Sequence, residues 1–166
     1  ARAAPGAKVF CRILTDGAGA EWPLSCKFGC EPSTAADVRI RAHELGLTAY
    51  GISFHVGSQQ TRLDAWDAAV GEAKAIFNTM LGHGIKLDMV NLGGGFPTKY
   101  LKPVPGTATY ANAIHDGLAK HFGNAIPETI VEPGRGMVGN AGVIKTEVVL
   151  ISKKHANDNQ RWVYLD

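Results

Sequence analysis

"LDMVNLGGGFP", residues Leu87–Pro97, runs a short apolar segment into three consecutive glycines and closes on Phe96 and Pro97. A run of this length, bounded by turn residues, reads as a buried strand. Three positions without side chains carry a large entropic cost and leave their backbone N–H groups accessible, so something must approach that backbone closely. An anion, most naturally a phosphate, would account for it, and so would a tight strand-to-helix turn. The dinucleotide pattern G-x-G-x-x-G fits poorly, because Phe96 and Pro97 interrupt the spacing and the next helical pattern is delayed.

Outward from this strand the same alternation repeats. Upstream, "KVFCRIL" (Lys8–Leu14) is β-rich and bounded by "TDGAGA". Pro32 and Ser33 open a helical segment to about Leu45, with Gly46 as its stop. "AYGISFHV" (Ala49–Val56) reads as a strand, and Asp64 to about Leu81 carries apolar residues at helical spacing. Downstream, "PGTATYANAIHDGLAKHF" (Pro105–Phe122) reads as an amphipathic helix and "ETIVEPG" (Glu128–Gly134) as a fourth strand. Strand and helix alternating with a repeat of about forty residues require crossover connections and a parallel sheet. Arg12, His55, Gly93 and Glu132 then fall at or near C-terminal strand ends, where a parallel α/β barrel builds its chemistry. A whole barrel takes roughly 250 residues and about eight such units, so the units visible here make about half of one. After Arg135 the pattern changes: "AGVIKTEVVLISKK" and "RWVYLD" are strand-like with no helix between them. Residues 1–141 are therefore read as a partial barrel and 142–166 as the beginning of a second, β-rich domain.

Composition narrows the function classes. Of 166 residues, 45% are hydrophobic and 19% charged, with a formal net charge of +2, which is a globular rather than a disordered balance. No Lys/Arg block supports nucleic-acid binding, and Lys153 with Lys154 reads as a solvated turn. No apolar run reaches the ~20 residues of a membrane span, and no signal peptide is recognised. Cys11, Cys26 and Cys30 lack the paired spacing of a zinc site, so no metal is expected, and free thiols in a reducing cytoplasm are. The opening "ARAAPGAKVF" and the close inside "RWVYLD" suggest an internal segment of a longer chain.

The candidate chemistry sits at the strand ends. In "EPGRG", Pro133 ends the strand, Gly134 permits the turn, and Arg135 presents a planar fork that suits phosphate oxygens. Glu132 lies at the tip of an apolar run, where a carboxylate needs a cation or a ring N–H; a structural ion pair with Arg135 would also satisfy it. In "FHVGSQ", His55 is followed at once by Gly57 and Ser58, a flat ring beside N–H and hydroxyl donors. Arg12 could face the same centre or snorkel. Two phosphate grips, a flat aromatic and a buried carboxylate on one barrel face suit a phosphorylated aromatic cofactor better than a sugar phosphate.

"CRIL", "KFG", "FHVGSQ", "NLGGGFP" and "VEPGR", in this order, resemble the fold-type III pyridoxal-phosphate-dependent decarboxylases, the ornithine, lysine and diaminopimelate decarboxylase family. "GAGAEWPLSCKFGC" and "FHVGSQ" are more similar to the bacterial ornithine decarboxylase branch. The resemblance implies an alanine-racemase-like (β/α)8 barrel followed by a C-terminal β domain, with pyridoxal 5'-phosphate as cofactor. It implies that Glu132 pairs with the protonated pyridine nitrogen and His55 stacks on the ring, both catalytic. Gly93, Gly94, Gly95, Ser58 and Arg135 would bind the phosphate, Arg12 would line the pocket near the ring, and Lys27 would lie toward a homodimer interface with shared active sites. The anchoring lysine would precede Lys8. The family's catalytic cysteine motif and phosphate-holding tyrosine would follow Asp166, and none of the three cysteines here matches that motif. The implied activity of the whole protein is cytoplasmic decarboxylation of ornithine to putrescine in polyamine biosynthesis, or of lysine to cadaverine. The segment alone would be inactive. Diaminopimelate decarboxylation, a non-catalytic regulatory relative and a phosphosugar-binding barrel are the alternatives.

Overall fold

The computed structural model describes residues 1–24 and 27–166; Cys26, one of the thiols named above, lies outside the described residues. The elements run β1 (Lys8–Arg12), β2 (Ala20–Trp22), α1 (Pro32–Glu44), β3 (Thr48–Ser53), β4 (Ser58–Gln60), α2 (Asp64–Gly82), β5 (Met89–Asn91), α3 (Thr107–Phe122), β6 (Glu128–Ile130), α4 (Arg135–Val138), β7 (Val148–Ser152) and β8 (Trp162–Leu165). Strands β1, β3, β5 and β6 form one parallel sheet in that order, with α1, α2 and α3 in the successive crossovers. The alternation read from the sequence is therefore the topology of the chain.

The helices cover one face of the sheet. Ile52 and Val90 on the strands and Ala35, Trp66, Val70, Ala73 and Ile114 on the helices share a single buried cluster. Trp66 anchors it, its ring centroid 5.1 Å from that of Phe96 in a tilted pair and 5.5 Å from that of Tyr110 edge-to-face. Burial at roughly 25 cal/mol per Å² makes such aromatic clusters the main stabilising element of a layer. The β1–β3 register slips between Val9 and Phe10. Buried Arg39 of α1 donates from Nη1 to the carbonyls of Val9 at 2.7 Å and Gly51 at 2.8 Å. A guanidinium thus serves backbone acceptors beside the slip, where an unpaired buried carbonyl would be destabilising.

Register sets the opposite face. Arg12 aligns with Ser53, Ser53 with Asn91 and Asn91 with Ile130, so these four residues form one row across the sheet. Because side chains alternate along a strand, the row faces away from Ile52 and Val90 and hence away from the helices.

Several expectations are corrected. "ETIVEPG" reads as one apolar strand with a buried carboxylate at its tip, yet the strand covers only Glu128–Ile130 and is exposed along its length at the edge of the sheet, and Glu132 beyond it is exposed as well. Ser58, beyond the end of the strand read over Ala49–Val56, lies in β4, a strand the sequence reading did not include, which pairs antiparallel with β2 to form a small ribbon. Arg135 opens the short helix α4 rather than standing on a turn. Strands β7 and β8 form a separate antiparallel pair, largely exposed. No helix among the described residues is long and apolar enough to cross a membrane.

Candidate active site

The bend after β5 is held from both sides. Gly93 donates its N–H to Asn91 Oδ1 at 2.9 Å and accepts from the Glu132 N–H at 2.9 Å. Gly95 accepts from the Gln60 N–H at 2.9 Å. Buried Gln59 then donates from Nε2 to the Thr98 carbonyl at 3.0 Å and accepts the Thr98 N–H at 2.8 Å. Gly93 sits at φ +64° and Gly95 at φ +103°, conformations that other residues rarely adopt. With Gly93 committed to Asn91, the expectation that all three glycine amides face an anion narrows. The N–H groups of Gly94 and Gly95 are the ones without a protein acceptor among the described residues.

Glu132 and His55 close around this bend. Asn91 Nδ2 donates to Glu132 Oε1 at 2.7 Å, so the acid is joined to the strand that leads into the glycines. A Cβ built on Gly94 would lie 2.7 Å from the Glu132 carbonyl oxygen and 3.0 Å from His55 Nε2, which puts acid strand, imidazole and glycine in one cup. The Gly57 N–H donates to His55 Nδ1 at 3.0 Å, which leaves Nε2 as the protonated nitrogen of the neutral ring. Burial lowers the His55 pKa and the nearby Arg12 cation lowers it further, against the pull of Glu132. The ring is thus held neutral at physiological pH.

Arg12 shares the electrostatic field of the same centre. Burial lowers its pKa while Glu132 acts in the opposite direction. Its Nε is buried and has no hydrogen-bond partner among the described residues, and its guanidinium lies 5.3 Å from the Phe28 ring centroid. Thr15 donates to the His55 carbonyl at 2.8 Å and helps fix the backbone there. Arg12, His55, Gly93, Gly94, Gly95 and Glu132 are therefore brought together.

The other expected residues make no hydrogen bond to this cluster among the described residues. Half-buried Ser58 follows the Gly57 that orients His55. Arg135 is exposed and makes no ion pair among the described residues; the helix it opens rests on the glycine loop, since a Cβ at Gly136 would meet the Phe96 Cβ at 2.9 Å. Exposed Lys27 lies 5.2 Å from the Phe28 ring centroid. Sequence reasoning missed Asn91, Gln59 and Gln60, whose amides carry no chemical signature of their own.

The family described as pyridoxal-dependent decarboxylase, pyridoxal binding domain, matches residues 1–139. The chain belongs to this family. Its four-stranded parallel sheet is consistent with part of that family's α/β barrel. It is 34% identical over 168 residues to the lysine/ornithine decarboxylase of Selenomonas ruminantium, covering 100% of this chain and 41% of that protein. The solved lysine decarboxylase of Selenomonas ruminantium superposes with a TM-score of 0.74 at 32% identity, over 99% of this chain and 42% of the other. The arginine decarboxylase of Paramecium bursaria Chlorella virus gives 0.73 at 28% identity, over 90% and 39%. The chain thus spans about two-fifths of the length of the relatives it matches.

The residues present fit pyridoxal phosphate. The amides of Gly94 and Gly95, without a protein acceptor among the described residues, suit phosphate oxygens, and Gly94 stands so close to the Glu132 carbonyl and the imidazole that a Cβ there would clash. Glu132 uses Oε1 for Asn91, and its Oε2 has no hydrogen-bond partner among the described residues.

Proposed function

We propose that the full-length protein is a pyridoxal-phosphate-dependent decarboxylase of a basic amino acid, acting on ornithine to give putrescine, with lysine to cadaverine as the near alternative. The observation that carries this reading is the placement of Glu132. Asn91 holds it at 2.7 Å, beside the free amides of Gly94 and Gly95 and the neutral ring of His55. When bound, the cofactor supplies a ring that takes up the electron pair left as carbon dioxide departs. Glu132 would hold a proton at the ring nitrogen, and His55 would lie against the ring face. Gly94 and Gly95 would grip the phosphate with their amides, joined by Ser58 and Arg135. Arg12 would place positive charge near the ring.

Relatives named for lysine, ornithine and arginine support a basic amino acid as substrate. A diamine product places the protein in polyamine formation, in the cytoplasm. The protein works as a homodimer with shared active sites, with Lys27 toward the partner. Residues 142–166 begin a second, β-rich domain, a division supported by the family match ending at residue 139 and by the separate pairing of β7 with β8.

The test is an assay of the full-length enzyme against ornithine, lysine, arginine and diaminopimelate, with Glu132→Gln alongside. The glutamine variant is expected to lose turnover by about 100-fold or more, the scale of a positioned proton partner. Wild-type turnover in that variant would remove the role given to Glu132. A colourless full-length protein inactive on all four substrates would remove the decarboxylase reading.

A further inference from the structure

Asn91, Gly93 and Glu132 form a closed circuit of hydrogen bonds. The Gly93 N–H donates to Asn91 Oδ1 at 2.9 Å, the Glu132 N–H donates to the Gly93 carbonyl at 2.9 Å, and Asn91 Nδ2 donates to Glu132 Oε1 at 2.7 Å. Asn91 is only 3% exposed, so its carboxamide has little water to turn to. Its orientation follows from the circuit. The end facing the Gly93 N–H must be the oxygen, so the end facing Glu132 is the NH₂ group.

We propose that Asn91 is a positioning residue that fixes the separation between the two ends of the cofactor site. One end is the pair of amides at Gly94 and Gly95, and the other is the carboxylate of Glu132. The inference rests on the cofactor reading of that site. Gly93 immediately precedes the free amides, and both of its backbone polar groups are used in the circuit. Glu132 cannot swing away from the bend without breaking its bond to Asn91, and the bend cannot unwind without losing the Gly93 contact. By occupying Oε1, Asn91 also decides which carboxylate oxygen is presented to the heterocycle. The circuit joins positions 41 residues apart in the chain, so the sheet register (Asn91 opposite Ile130) is what makes it possible.

The test uses Asn91→Leu in the full-length protein, which keeps the bulk and removes both side-chain hydrogen bonds. The dissociation constant for pyridoxal 5'-phosphate is expected to rise about 10- to 100-fold, the effect of losing a hydrogen bond to a charged group. The visible absorbance of the bound cofactor is expected to shift in the same direction as in Glu132→Gln. In the Glu132→Gln background the same leucine substitution should cost little further affinity, because the charge to be positioned is gone. In cofactor-free protein, the Gly93 amide should exchange with solvent faster in the leucine variant than in wild type. Asn91→Ala, which leaves room for a water, should shift affinity the same way and serves if the leucine variant does not fold. An unchanged dissociation constant and spectrum, or an equal loss of affinity in both backgrounds, overturns the positioning role. If wild-type protein takes up no pyridoxal phosphate, the functional reading falls and this inference with it; if it binds normally and only the leucine effects are missing, this inference falls alone.

Discussion

At Gly93, at φ +64°, an added Cβ would run into the Phe54 carbonyl, whereas at Gly94 it would stand 2.7 Å from the Glu132 carbonyl oxygen and 3.0 Å from His55 Nε2. The two neighbours should therefore fail differently. Gly93→Ala combines a left-handed backbone with a backbone clash and is expected to lower stability by about 1–3 kcal/mol. Gly94→Ala pushes the acid strand and the imidazole apart, so affinity for pyridoxal phosphate should fall by about tenfold, the equivalent of about 1.4 kcal/mol, with a smaller loss of stability. Thermal unfolding and cofactor titration of both full-length variants separate the cases; a Gly94→Ala protein with unchanged affinity would contradict the cup as described. The glycines, His55 and Glu132 were legible in the sequence because each is an unusual residue type at a strand end. Asn91 and Gln59 were not, since an amide in or beside a strand is ordinary until its partner is known. Asn91 meets Glu132 across 41 residues and Gln59 meets Thr98 across 39. Arg135 was legible as a cation, but its exposure could not be read from "EPGRG".

Helix pairing carries a charge clamp of its own. Asp67 of α2 accepts from Lys120 Nζ at 2.7 Å and sits 2.9 Å from His121 Nε2, both on α3. The hydrogen bond from Lys120 first, and that from His121 after it, hold the Asp67 pKa below the usual carboxylate value. A depressed carboxyl pKa stabilises the folded state above the unfolded value of about 3.9, and that contribution fades as pH falls through the folded value. Because Lys120 is 63% exposed, solvent screens the pair, and Asp67→Asn is expected to lower stability by only about 0.5 kcal/mol at neutral pH. Urea midpoints of the two proteins should converge below about pH 4; a difference that persists in strong acid would assign the effect to packing instead. The long elements were readable for a related reason. Helices α1, α2 and α3 rest on local periodicity and on Gly and Pro boundaries, the parallel strands on longer apolar runs between turn residues, and their bounds agree with the sequence reading to within a few residues. The β2–β4 ribbon and α4 are three to four residues long, too short for any period to show. The exposure of β6 depends on its place at the sheet edge, which no local pattern encodes.

For the molecule as a whole, apolar surface lies where the described residues offer it no cover. Val149 is 61% exposed, Leu150 54% and Ile151 52% on β7, and Val163 52% on β8. Adjacent residues of a strand point to opposite faces, so both faces of the hairpin present apolar side chains. A lone two-stranded hairpin is marginal in water, because it buries too little surface to offset the entropy of ordering it. The parallel sheet has a different standing, since Ile52 and Val90 are fully buried against the helix layer. In a polypeptide of residues 1–166 alone, the amides of β7 and β8 should then exchange with solvent at nearly unprotected rates, while those of β3 and β5 are slowed. In the full-length protein, if residues 142–166 enter a second β-rich domain, the same hairpin amides should become strongly protected, because further strands would pair with its edges and cover its faces. Hydrogen-exchange mass spectrometry of the two proteins gives both comparisons in one experiment. Hairpin amides that exchange equally fast in the full-length protein would mean that β7 and β8 remain an exposed ribbon, and the division of the chain near Gly142 would have no second domain behind it.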